Sequence, residues 1–89
     1  MKKEIFTHYK WVFRGKQRRK IIVILDKAKT PTQIKEETKI KVTNVSDVLR
    51  EMLKRKLVKC LNPEDKLGRF YELTSIGKRV KKEFSGNSN

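Results

Sequence analysis

The chain has 89 residues, with 24 Lys or Arg against 10 Asp or Glu, for a formal net charge of +14. That length suits one domain with a modest core, and a single cysteine (Cys60) with a single histidine (His8) excludes an internal disulfide framework and any Cys/His zinc site. Internal pairing cannot neutralise such an excess, so the charge points to a polyanionic partner, nucleic acid ahead of an anionic membrane.

The segment IFTHYKWVF (residues 5–13) holds four of the seven aromatics. Its period is ambiguous. Ile5, Tyr9, Val12 and Phe13 fit one helix face, whereas Thr7, Tyr9, Trp11 and Phe13 fit one strand face. Phe6, Tyr9, Trp11 and Phe13 form either a local core or a dimer interface. RGKQRRKIIVILDKA reads as a helix, with Ile21, Ile22 and Leu25 on one side and Ala28 continuing it. Its cluster of Arg14, Lys16, Arg18, Arg19 and Lys20 is either a phosphate clamp or a solvated face. Residues 21–25 are the longest wholly apolar run, five residues, too short for a membrane span or a signal-peptide core. A soluble, cytoplasmic chain is expected.

TPTQIKEETK follows with a start signal. Thr30 caps, Pro31 suits the first helical position and Gln33 completes a capping box. This helix is predicted to run to about Lys39. A bend at 40–42 leads to a further helix over about 43–56. On its wheel Val45, Val48, Leu49 and Met52 gather on one side. Thr43, Asp47, Arg50 and Lys54 lie opposite, flanked by Asn44, Ser46 and Glu51.

The period then changes to two. LVKCL (57–61) and RFYEL (69–73) are rich in β formers, and NPEDKLG between them is a turn. Tyr71, Leu73 and Cys60 are expected to face inward. Thr74 caps a last helix in which Ile76, Val80 and Phe84 recur at helical spacing. SGNSN (85–89) is expected to be a disordered tail, leaving 1–84 as one domain.

Two helices joined by a tight bend, followed by a hairpin, form a winged helix-turn-helix, mostly α with a small β-wing. The apolar side of the second helix anchors it. Its polar side is free to enter a major groove, where hydroxyl, amide and guanidinium groups reach base edges.

The stretches TPTQI, NVSDVLREM, LVKCLNP and GRFYELTSIGKRV carry a resemblance. Across about residues 14–82 the chain resembles the small archaeal winged helix-turn-helix regulators related to the MarR and ArsR groups. The resemblance implies binding of double-stranded DNA, as a homodimer, in transcriptional control. It places Asn44, Ser46, Asp47 and Arg50 on the recognition helix and makes Arg69 the arginine at the base of the wing. With Thr43 and Lys54 on the same helix and Lys66 in the wing, these are the candidate DNA-binding residues. Four lysines depart from the family pattern. Lys35 replaces a small residue, Lys39 a bend glycine, Lys41 a capping Ser or Thr, and Lys56 a glycine before the wing strand.

The leading expectation is a sequence-preferring DNA-binding regulator associated with the nucleoid. The alternatives are a non-specific nucleoid or chromatin protein and, behind it, a winged-helix protein docking module. The sequence holds no paired His/carboxylate set, nucleophile elbow or Gly-rich phosphate loop, so no enzyme is expected. Nor does it point to a cofactor, a small-molecule ligand or a membrane partner.

Overall fold

The computed structural model describes residues 2–84. Residues 85–89, the expected tail, lie outside them. Helix α1 spans Lys3–Phe13, α2 Lys16–Ile24, α3 Pro31–Thr38, α4 Val42–Lys54 and α5 Ser75–Lys82, and strands β1 (Val58–Cys60) and β2 (Tyr71–Leu73) lie between α4 and α5. The fold is a winged helix-turn-helix, mostly helical with a two-stranded antiparallel wing.

Residues 5–13 are helical. The helical period wins because Ile5 and Val12, seven apart, come under one face and are buried. α2 is shorter than its apolar pattern. It stops at Ile24, Leu25 leaves helical geometry (φ −82, ψ 64), and Ala28 therefore does not continue it. The freed Ile24 carbonyl accepts from Lys29 Nζ at 2.6 Å, which places a cation at the helix C-terminus.

α3 begins as its sequence predicts. The Thr30 hydroxyl accepts from Gln33 N at 3.2 Å, and Gln33 Oε1 accepts from Thr30 N at 2.8 Å. It ends one residue early, at Thr38. Lys39 there is left-handed (φ 64) and donates its N–H to the Lys35 carbonyl at 2.8 Å. α4 starts at Val42, inside the expected bend, and its C-cap is Arg55. Lys56 follows with φ 62. Lys56 N donates to Leu53 O and Leu57 N to Met52 O, which is a Schellman closure. Both lysines thus occupy backbone positions that suit glycine, the residue expected there. Each costs about 1 kcal/mol relative to a glycine that needs no Cβ clearance.

The strands pair Val58 with Leu73, Lys59 with Glu72 and Cys60 with Tyr71. Each has three residues instead of the five that its β formers span. Beyond them, Leu61 N reaches Phe70 O but no regular ladder continues. The segment before α3 adds a rung on the other side of β2: Lys29 and Tyr71 exchange both backbone hydrogen bonds at 2.9 Å.

One core joins these elements, drawing Ile5 and Val12 from α1, Ile21 and Ile22 from α2, Ile34 from α3, and Val80 from α5. Val45, Val48, Leu49 and Met52, the predicted apolar side, are the buried residues of α4. Tyr71 and Leu73 are buried as expected, whereas Cys60 is only half-buried, near the end of its strand. Thr74 caps α5 by accepting from Gly77 N at 3.1 Å, and its own hydroxyl donates to the Lys56 carbonyl at 2.6 Å. Gly77 sits where a Cβ would fall 2.0 Å from the Leu57 carbonyl oxygen, so a glycine is required at this crossing. Phe84 lies past the end of α5 and stacks on Tyr9 with ring centroids 4.8 Å apart.

Candidate nucleic-acid interface

Burying the apolar side of α4 leaves Thr43, Asp47, Arg50 and Lys54 exposed together. Successive residues turn by about 100°, so these four fall within one narrow sector. Asn44 and Ser46, both half-buried, flank it on opposite sides.

On the Ser46 side a groove of about 490 Å³ opens between the start of α3, helix α4 and the wing loop. Ser46, Arg50, Lys66 and Arg69 all line it. Four of the eight candidate residues thus converge, although they come from separate stretches of chain. Asn44 lines a different depression, beside α2. Thr43, Asp47 and Lys54 line neither and occupy the open face between.

The electrostatics divide the candidates. Arg50 is bonded to Asp47 at 2.9 Å, one turn apart on an exposed surface. A pair this exposed contributes about 0–1 kcal/mol, so it orients Arg50 more than it immobilises it. Arg69 donates from Nε to the backbone carbonyl of Asp65 and takes part in no ion pair among the described residues. Lys66 takes part in no ion pair among the described residues.

Asn62 organises the wing loop. Its Nδ2 donates to Asp65 Oδ2 at 2.8 Å and to the Gly68 carbonyl at 3.2 Å, while its Oδ1 accepts from Phe70 N at 2.8 Å. The sequence marks Asn62 only as half of an Asn-Pro turn. Gly68 closes the loop with φ 70. Beside it Leu67 is 89% exposed, an apolar tip on a loop in which Glu64 and Asp65 balance Lys66 and Arg69.

The basic cluster at the start of α2 separates into two roles. Arg18 stacks over Trp11 at 4.2 Å and donates to the Trp11 carbonyl at 2.7 Å, and Arg19 donates to the Phe13 carbonyl. These two arginines fasten α1. Arg55, from the end of α4, covers Trp11 at 4.3 Å. Burial and the neighbouring Arg18 lower the Arg55 pKa from its usual value, with Glu51 acting the other way. Lys16 and Lys20 stay exposed and outside any ion pair among the described residues.

Lys29, absent from the candidates, is the buried cation of the fold at 5% exposure. Nothing in its local sequence distinguishes it from the solvated lysines around it. Among the described residues, no group of three or more His, Cys, Asp or Glu is placed to hold a metal ion. No described helix is long and apolar enough to cross a membrane.

The architecture defines a class, the winged helix-turn-helix proteins. No family model matches the chain, and no curated protein matches it. Solved structures of similar fold include the adhesin competence repressor AdcR from Streptococcus pyogenes, with TM-score 0.71 and 18% identity over 80% of this chain and 55% of that one. A MarR family transcription regulator has TM-score 0.70 and 22% identity over 85% of this chain and 54% of that one. A mutant of MepR from a multidrug-resistant S. aureus clinical isolate has TM-score 0.58 and 16% identity over 100% of this chain and 59% of that one. The chain therefore has the winged-helix fold of MarR-family regulators, and spans a little over half the length of each of these three.

Proposed function

We propose that the chain binds double-stranded DNA with a sequence preference and regulates transcription as a homodimer. The observation that carries this reading is the construction of α4. Val45, Val48, Leu49 and Met52 are spent on the core, and the polar side left over stands beside a groove into which the wing loop brings Lys66 and Arg69. On this reading Thr43, Asp47, Arg50 and Lys54 face base edges, with Asn44 and Ser46 at the margins of the same helix. Lys66 and Arg69 reach the sugar-phosphate backbone from the wing. A net charge of +14 supports an electrostatic contribution to affinity and an association with the nucleoid.

The similar fold of AdcR, which is described as a repressor, supports a regulatory role. The homodimer is supported by the aromatic row on α1. Phe6 and Phe13 are 46% and 53% exposed, and both flank Tyr9 in one stack.

A second reading is a non-specific nucleoid protein of the same fold. The net charge of +14 favours it, because attraction to phosphates is independent of sequence. Selection of bound sequences from a random duplex library separates the two. A sequence-preferring dimer enriches an inverted repeat. A flat outcome, with binding intact, gives the non-specific protein. Failure to retain any duplex refutes both.

A further inference from the structure

Four lysines meet on the flank of α4 that faces away from the wing. Lys16 and Lys20 come from α2, and Lys39 and Lys41 come from the bend between α3 and α4. With Gln17 and Asn44 they line a notch of about 420 Å³, floored by the bend itself. All four lysines are exposed, and none takes part in an ion pair among the described residues. No carboxylate lines the notch.

Two helix starts border the notch. α2 begins after Gly15 and α4 after Lys41, and neither receives a side-chain cap. Their first N–H groups add partial positive charge to that of the ammonium groups.

Lys39 is an independent observation. Its φ of 64 is a conformation that glycine adopts without strain. A lysine here adds nothing to the core, since it is exposed. What it adds is a charge at the rim of a notch that already holds three others. A strained residue at a bend is a pointer to function when its side chain supplies something the relaxed residue lacks.

The notch also lies where a duplex would require it. Asn44 lines the notch and Ser46 lines the wing groove. Two residues apart on a helix, they point about 200° from each other, with the exposed face between them. A major groove about 12 Å wide takes one helix of about that diameter. Both phosphate-bearing edges of the groove then pass along the two flanks.

We propose that this notch seats a backbone phosphate of duplex DNA, held by Lys16, Lys20, Lys39 and Lys41, on the groove edge opposite the one the wing reaches. The assignment rests on the DNA-binding reading above. Lys39 sacrifices folding stability for this contact.

The test compares Lys39→Gly, the double variant Lys16→Gln/Lys20→Gln, and Lys82→Gln, a charge removal on α5 outside the notch. Duplex affinity is titrated between about 50 and 200 mM salt, and melting temperature is recorded for each. Lys39→Gly melts higher than the wild type yet binds more weakly, with a salt slope shallower by about one per protomer. The double variant loses about two. Lys82→Gln keeps the wild-type slope. The seat is overturned if the notch variants keep the slope of Lys82→Gln, or if Lys39→Gly melts lower, while the wild type binds normally. A wild type that binds no duplex overturns the DNA-binding reading, and the seat with it.

Discussion

The ammonium of Lys29 lies 2.7 Å from Glu37 Oε1, and it is the lysine that is buried while the carboxylate stays 42% exposed. Asp26 stands 3.2 Å from the same nitrogen and is 67% exposed. Desolvation pulls the Lys29 pKa down, but hydrogen bonds to Glu37 and Asp26 outweigh it, and the pKa is raised. This asymmetry reverses the usual ranking of a deletion. Glu37→Ala leaves a buried ammonium short of a partner, and costs about 1–2 kcal/mol. Lys29→Met fills the same space and returns two carboxylates to water, and costs less than Glu37→Ala. Urea unfolding of the two variants checks the order.

Arg50 and Arg69 border one groove but have different surroundings, so they fail differently. Arg50→Ala costs about 1–3 kcal/mol on a selected site and much less on random duplex. Arg69→Ala weakens both duplexes by similar factors and makes the salt slope shallower by about one. Titration of each variant on selected and scrambled duplexes at several salt concentrations measures the difference. Equal losses on both duplexes for Arg50→Ala favour the non-specific protein.

Phe6 and Phe13 are too exposed to hold the monomer together, at 46% and 53%. Phe6→Ser/Phe13→Ser therefore leaves the circular dichroism spectrum and melting cooperativity in place. In sedimentation the wild type runs as a dimer at micromolar concentration and the double variant as a monomer. A wild type that is monomeric both free and on DNA rules out this interface.

His8 carries a buried Nδ1 with no hydrogen-bond partner. Burial lowers its pKa below the ordinary 6.5, Arg55 lowers it further, and Glu4 opposes them. The folded state therefore binds this proton more weakly than the unfolded chain does. The contribution to stability is complete above about pH 6.5 and is lost as pH falls through the folded value. The wild type melts lower at about pH 5.5 than at about pH 7.5, a window in which ordinary carboxylates stay ionised. His8→Gln reduces that difference, as paired thermal melts at the two pH values record.

Local chemistry made much of this molecule readable from its sequence. The Thr30–Gln33 box, the Thr74 cap and the buried side of α4 each depend on residues within a few positions of one another. The two positions flanking α4 where a glycine was expected keep glycine-like backbones, although lysine occupies both. What escaped depends on segments meeting in space. Lys29 is buried because Glu37 and Asp26 come to it from either side. Trp11 looked like one more aromatic, and its two arginines arrive from α2 and α4. The candidate site was partly legible in the same sense. Periodicity gave the exposed face of α4, but that Ser46 borders the wing and Asn44 the lysines follows only from what packs on each side.

The paired backbone bonds between Lys29 and Tyr71 make the wing a lever with a fixed fulcrum. Tyr71 sits in β2, and Lys29 immediately precedes the cap of α3. A load applied to the loop around Lys66 and Arg69 travels down two short strands and arrives, through two peptide hydrogen bonds, at the entrance to α3. The lysine that receives it is clamped at its other end by the carbonyl of Ile24 and the carboxylate of Glu37. The wing, the entrance to α3 and α4 packed against it are thus tied into one continuous set of bonds and contacts.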